Sequence, residues 1–575
     1  MAVGKAQGII DRNTEMKRRK EPWNNHYQLI GEYIMLRKQQ FQTEFQAGAF
    51  LTDEICDTTA VQANEKMASS LLGALWPNGA RTFRYVPIDE LADSEEIKTY
   101  FEKGTRRAVD LLDDTKAGLA VALEEYMRDQ GGFGTSAVAL FENEEGNNPF
   151  LFKAWDVKGM CIDEGFTGRV DTIFNEREMT IRQEIKEYGF ENVSKKSQDK
   201  YTNNKGDDVV HVLHAIEPRM ERDPKRFGNK DMPIASIHIE VETKKILKES
   251  GFEELPVFVT RFTKAMREVY GRSPAMLALA DIMELNTLWE VVTLAIEKIM
   301  NPPMAMYEDG TFGGGVVDTS PGAINTVSVS SRLSAQNPIW QMQTVGDIRS
   351  AEILIDKLKD SISEAFMLDR LLDFNNKTRM TAFEANLRDK FRGESLGTIY
   401  KRQETELFTP MLERAFNIML KRGFLGVQKG SQDELDLIAK GIEPLYIPQA
   451  ILDRMLDGRE FYKIQYVSPA KRIMQAEEAQ GILTTFDFAA NAMDVAPQAL
   501  DNIDVDKAVV RLAEISGIPT DIINSTEAVK KMRDLRAQQQ AQAAEQEQMK
   551  EASETMMNMA QAEAMSKGKD QNTQQ

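Results

Sequence analysis

"EKIMNPPMAMYEDGTFGGG", residues 297–315, decides how the chain is read. An apolar helix runs into Pro302 and Pro303, and a proline neither donates a backbone hydrogen bond nor tolerates helical geometry just before it. Glycine-rich chain follows, and a second helical pattern begins near Asp347. The intervening 301–345 is rich in proline, glycine and serine. A short turn would close a helical hairpin at lower entropic cost, so this spacing predicts a connection with a task of its own.

The pattern on either side is that of two rods. Ser273-Pro274 supplies an N-cap serine and a proline at the first helical position. A helix over 274–300 is about 40 Å long at ~1.5 Å per residue. Its apolar residues, among them Leu277, Leu285, Trp289, Val292 and Ile299, spread over more than one face, which predicts neighbours on several sides. In the second rod Ile348, Ala351, Ile355, Leu358, Ile362 and Ala365 recur at spacings of three and four, a seam for another helix. An ordinary helical hairpin meets the same pattern.

Upstream, the first 130 residues read as helical. One helix starts at Pro22 with Trp23, Tyr27, Ile30 and Ile34 on one face, a second stops at Pro77, and a third covers roughly 95–130 and ends at Gly131-Gly132. Between 135 and 263 the period changes to that of strands, in "SAVALFEN", "PFLFKAWDV", "GRVDTIFNE", "DVVHVLHAIEPR", "ASIHIEVETKKIL" and "PVFVTRFTK". Residues 192–208 read as a solvated loop. Downstream, Thr381 to Glu384 form a capping box that opens a third long helix, bent at Gly393, Gly397 and Pro410 and ending near "KRGFLG". A mixed segment over 430–470 leads to helices reaching about 535. Residues 520–567 contain neither glycine nor proline, so this Gln/Ala/Met-rich end forms a helix if copies bundle, with a frayed tail after Lys567. The fold class is α+β, mainly helical.

Bulk properties narrow the function. At 575 residues the chain is too long for one core, and domains of roughly 150 residues predict three or four units. A net charge of −19 argues against wrapping nucleic acid tightly, since neutralising phosphates takes a basic surface. Passage of DNA past an acidic wall is compatible with it. Cys56 and Cys161 stand alone, which fits a reducing compartment and excludes a disulfide scaffold or cysteine zinc site. No secretion signal opens the chain. The most apolar stretch, 274–300, carries Asp281, Glu284, Glu290, Glu297 and Lys298, so it does not read as a membrane span.

The motifs associated with catalysis lack their context. "GESLG", residues 393–397, matches a serine-hydrolase elbow around Ser395, but it lies in a helical run, and His26, His211, His214 and His238 all precede it. "GFGTSA", residues 132–137, follows a helix and precedes a strand, the reverse of a dinucleotide-binding loop. His211 and His214 lie three apart in a strand pattern and point oppositely. No catalytic site, cofactor or metal is expected. The basic cluster is more telling: from Met367 to Arg392 there are six basic residues (Arg370, Lys377, Arg379, Arg388, Lys390, Arg392) against four acidic (Asp369, Asp373, Glu384, Asp389). A solvated loop followed by ion pairs on a helix accounts for it; so does a loop that offers charge to a phosphate backbone without reading bases.

Taken in order, "RRKEPWNNHYQLIGEYIML", "DTTAVQANEKMASSLLGALWPNGARTF", "GGFGTSAVALFEN", "GRSPAMLALADIMELN" with its following "NPP", "TAFEANLRDKF" and "TELFTPMLERAFNIMLKRG" resemble the portal (head-to-tail connector) proteins of tailed phages, podovirus types in particular. The likeness runs over roughly 15–490, and the Gln-rich end is not diagnostic. It implies a twelve-subunit ring with an axial channel for double-stranded DNA at one vertex of the virion, assembled in the host cytoplasm. The implied partners are the terminase motor, tail adaptor and tail proteins, and major capsid and scaffolding proteins, without a membrane. It also implies a wing (1–272, with the β-rich unit at 135–263), a stem (273–300 and 346–366) and a clip (301–345). A tunnel loop (367–380), a kinked long helix with wing return (381–460), a crown (461–535) and a C-terminal helix or disordered tail (536–575) follow. Arg370, Asn375, Asn376, Lys377 and Arg379 would face the DNA. The rival reading is an acidic cytosolic scaffold or assembly protein that binds partners through the hairpin.

Overall fold

The computed structural model describes residues 2–38, 41–42, 55–77, 81–92, 94–143, 147–222, 228–308, 318–328, 339–341, 348–368, 397–427, 432–439, 443–467, 469–492, 503–516 and 526–570. They form two units, 1–86 with 103–477, and 87–102 with 478–575.

In the first unit, β4 (Met160–Glu164), β5 (Val170–Thr180), β6 (Val209–Pro218), β7 (Ile234–Glu240) and β8 (Lys245–Phe252) form an antiparallel meander in chain order. Helix α1 (Ala2–Tyr33) covers one face, burying Ala6, Ile9 and Met16 against Phe174, Leu213 and Ile237. The expected start at Pro22 is corrected: α1 runs straight through it. Pro22 forfeits one backbone bond, but both halves are held, upstream by that core and downstream by the buried Tyr27 and Ile30. Between them the Lys20 ammonium is buried against the carbonyls of Val157, Lys158 and Met160, the last two at 2.9 Å.

A second sheet, β3 (Phe150–Trp155), β2 (Thr135–Glu142) and β9 (Val257–Arg261), has β2 at its centre. The helix expected over 95–130 is two, α3 (Glu95–Leu112) and α4 (Leu119–Phe133). The break is a turn at Asp114, whose carboxylate accepts from the Lys116 amide at 3.0 Å and whose carbonyl accepts from Ala117. Helix α4 continues through Gly131 and Gly132, packing along α2 (Thr59–Leu75). The solvated loop expected over 192–208 also needs correction. Ser194 accepts from the Ser197 amide at 3.1 Å and caps α6 (Lys195–Thr202), which with α5 (Ile181–Tyr188) lies on the meander.

Where α4 passes into β2, the backbone crosses the root of the first rod. Gly134 has φ +70°, and a Cβ there would stand 2.6 Å from the Arg272 carbonyl carbon and the Ser273 amide nitrogen. The Thr135 hydroxyl accepts from the Gly271 amide at 2.8 Å in the same crossing. We expect Gly134→Ala to cost more than about 2 kcal/mol, measured as a lowered urea midpoint. An unchanged midpoint would show that the crossing yields.

The long helix after the basic cluster is described from Gly397. It widens into a π turn over Glu404–Phe408, with Thr409 donating to the Glu404 carbonyl, and continues as Thr409–Lys421. The bend expected at Pro410 takes this form because proline cannot serve the carbonyl four residues back, and a wider turn accommodates the gap. Aromatic rings bind this helix to its surroundings: Phe408 stacks on Trp76 at 5.6 Å, and Phe416 on Tyr462 at 4.0 Å. Tyr462 belongs to β13 (Tyr462–Tyr466), which pairs with β1 (Phe83–Pro87).

In the second unit, Thr526–Asp570 is one helix with exposed Met549, Met556, Met557 and Met559. Arg533 there pairs with Asp506 through two contacts of 2.7 Å, and Arg511 reaches Glu478 at 2.7 Å.

Candidate functional site

Among the described residues, the histidines and cysteines do not converge with acidic side chains into a site. On β6 the side chain of His211 is 43% exposed while His214 is buried, as strand alternation requires. His214 sits opposite His238 of β7 with rings stacked at 3.9 Å, and burial, above all, holds both well below the ordinary histidine pKa, His238 at about 3. Tyr188, which accepts from Arg177 at 2.9 Å, meets His238 Nδ1 at 3.0 Å. This is a packed pair on the sheet, with His214 buried and His238 half-buried. "GFGTSA" is a helix-to-strand turn. Among the described residues no group of three or more His, Cys, Asp or Glu is placed to hold a metal, and no helix is long and apolar enough to cross a membrane. A cavity of about 450 Å³ beside α1 is lined by Arg19, Trp23, Tyr270 and Arg272, among others. Two of the three arginines that line it are engaged: Arg272 pairs with Glu268 at 2.5 Å and lies over Trp23, and Arg19 reaches Asp163 at 3.6 Å.

The surface that stands out is the hairpin. Helix α7 spans Pro274–Met300, with the Ser273 hydroxyl accepting from the Met276 amide at 3.0 Å. Its first half is rooted, since Ala275, Ala278, Ile282, Leu285 and Asn286 are buried. From Thr287 to Met300 only Val292 is buried. Val291, Leu294, Ile296, Ile299 and Met300 are 43–80% exposed, on different sides of the helix. Helix α8 (Ile348–Ala365) buries Ile355, Leu358 and Ile362, the middle of the expected seam, with Ile348, Ala351 and Ala365 half-buried and Ile353 60% exposed.

Polar contacts fix the hairpin at mid-height. Asn286 Oδ1 accepts from the Cys56 and Asp57 amides at 2.8 and 3.1 Å. Asp57 meets Lys359 at 3.3 Å, and the Lys359 ammonium lies 5.3 Å from the centre of the Trp289 ring. Ser361 donates to Asp281 at 2.6 Å. Partial burial works against the charged form of Asp57, but the Thr59 hydroxyl and amide together with Lys359 hold its pKa below the ordinary range.

The connection between the rods is not wholly irregular, which corrects its reading as loop. Strand β10 (Met304–Glu308) pairs in parallel with β11 (Ile324–Ser328) and antiparallel with β12 (Ile339–Gln341). Glycine and serine masked these short strands, and long-range pairing made them. Ala305 is buried, whereas Met306, Ile324 and Ile339 are exposed.

A second hub lies at β9. The Arg261 side chain is 1% exposed and lies between Glu164 and Glu406, donating to Glu406 Oε1 at 2.8 Å and to the Gly168 carbonyl at 3.1 Å. The π turn thereby joins both sheets. Sequence reasoning passed over this hub because arginine and glutamate 145 residues apart carry no local signal. Arg370, Asn375, Asn376, Lys377 and Arg379 lie outside the described residues, as does Ser395.

Comparison with known proteins bears on this surface. The family model "Bacteriophage head to tail connecting protein" matches residues 6–430 and 447–523. The chain is 25% identical over 554 residues to the portal protein of Salmonella phage epsilon15, covering 95% of this chain and 93% of that one. It is 24% identical over 547 residues to the probable portal protein of Bordetella phage BPP-1, covering 94% and 92%. A solved structure titled as the virion of a native gene transfer agent particle superposes over 67% of this chain and 90% of the other, at 11% identity and a TM-score of 0.28. At that score the superposition carries no argument about the fold.

Proposed function

The chain belongs to the bacteriophage head to tail connecting proteins, and from that premise we infer that it is a portal protein, a ring-forming channel through which double-stranded DNA enters and leaves a phage head. The observation that carries the mechanism is the outer half of α7. It is a rooted helix with apolar side chains on several sides and one buried residue. Such a helix is stable where copies stand beside it. Twelve copies around an axis turn the hairpins into a wall, the stem, with 301–345 as the clip. Residues 1–272 serve as the wing, and 461–535 as the crown.

The net charge of −19 suits a channel in which DNA must slide, because a basic lining would exchange counterions for protein contacts and stall it. Arg370, Asn375, Asn376, Lys377 and Arg379, in a tunnel loop over 367–380, grip phosphates weakly and resist backward slip. The clip and its strand edges meet the terminase motor and later the tail adaptor, while the wing meets capsid and scaffolding proteins. The protein is structural in this reading and catalyses nothing. A free acidic scaffold is not favoured, since the family match continues through the hairpin to residue 430.

Electron micrographs of the purified chain should show rings with a central opening. In infected cells, Lys377→Gln with Arg379→Gln should leave rings intact and lower the DNA content of heads severalfold. Normal genome filling and release would remove those two side chains from the mechanism, and a solitary chain at every concentration would end the portal reading.

A further inference from the structure

Two glutamates of the first unit are buried together without a cation. Glu184 on α5 is 0% exposed and Glu240 at the end of β7 is 1% exposed. Among the described residues no cation pairs with Glu184, whose polar neighbour is the Ser197 hydroxyl, and Oε2 of Glu240 accepts no hydrogen bond. Glu240 Oε1 accepts from the Ser194 hydroxyl at 3.0 Å, and Ser194 in turn caps α6. Two buried carboxylates cannot both be charged in such a place, since an unpaired buried charge costs several kcal/mol.

We propose that Glu184 and Glu240 are a carboxylic acid–carboxylate pair that binds one proton at neutral pH, and that loss of this proton in alkaline medium loosens the α5–α6 cap from the meander. The ligand is a proton, and it leaves one of the two buried carboxyls uncharged. What it holds in place is the small core of Ile181, Tyr188, Val193, Val210 and Val212 beneath the cap.

The charged neighbours are otherwise engaged. Lys196 pairs with Glu242 at 2.5 Å, Lys200 with Asp208 at 2.9 Å, Arg182 with Asp207 at 3.5 Å and Arg177 with Glu187 at 2.5 Å. Lys186, Lys195 and Asp199 are exposed, and His211 reaches Glu176 at 4.0 Å. Buried His214 and half-buried His238 stay neutral above pH 6.5, so their effect on stability falls on the acid side. Burial, then the Glu240 charge, push Glu184 from 4.5 to about 7, with Ser197 opposing. A carboxyl whose folded pKa is raised binds its proton more tightly in the folded state. Its stabilisation is therefore full in acid and is lost as pH rises through about 7.

Hydrogen exchange of the full chain, corrected for intrinsic rates, tests this. Protection over 181–202 in the wild type should fall about fourfold between pH 6.5 and pH 8, with a midpoint near 7. Glu184→Gln should hold its protection at pH 8, because an amide stays uncharged at every pH. Equal wild-type protection at both pH values would overturn the proposal without recourse to a variant. So would recovery at pH 8 on adding Ca²⁺ or Mg²⁺, which would place a metal ion between the carboxylates.

Discussion

Glutamate at both Val291 and Leu294 is expected to abolish rings and leave the chain monomeric by size exclusion with light scattering. The two side chains are 56% and 48% exposed and lie one turn apart on α7, so the isolated chain tolerates the change: circular dichroism and urea midpoint should match the wild type. In a ring each would be pressed against a neighbouring copy, where an unpaired charge costs about 3–5 kcal/mol. One such charge weakens a contact by at least about a hundredfold, and a closed ring meets that cost at every interface. Rings of normal size from the double variant would show that this half of α7 is not the wall, whatever else assembles the protein.

Arg261→Met should cost about 3–5 kcal/mol in urea unfolding at pH 7, a large share of the ~5–15 kcal/mol that holds a typical domain together. The guanidinium satisfies two carboxylates and two carbonyls, and the substitution strands the Glu406 charge without its cation, with the residue 261 amide as a remaining donor. Glu164 is less affected, because Lys264 already meets it at 2.5 Å. Adding Glu406→Gln to Arg261→Met should therefore recover part of the loss, since it removes the stranded charge. If the single variant unfolds like the wild type, water reaches Glu406 and the hub is superficial.

Local chemistry explains what was legible from sequence and what was not. The first rod was readable to the residue because both ends are punctuated, by Ser273-Pro274 and by Asn301-Pro302-Pro303. In the meander β5 and β6 showed through their alternation, while β7 and β8 were read as one run and the short β4 was passed over. Pro22 misled, because a helix clamped by a core on each side survives one missing bond. Residues 192–208 misled too: their polarity is that of a loop, but the Ser194 cap and the buried Val193 and Ser197 make a helix of part of it. The exposed side of α7 followed from its breadth of apolar residues. The carboxylate pair was invisible, because in a chain with 90 acidic residues only burial distinguishes two of them.

The contacts that join Asn286 to Lys359 through Asp57, and Asp281 to Ser361, have a mechanical consequence. They fasten α7 and α8 together halfway along, so neither helix slides past the other without breaking them. A load applied at the strand-bearing tip is carried as by a single beam to the glycine crossing at its base, with little absorbed on the way. Whatever docks at the tip thus has leverage on the body of the protein.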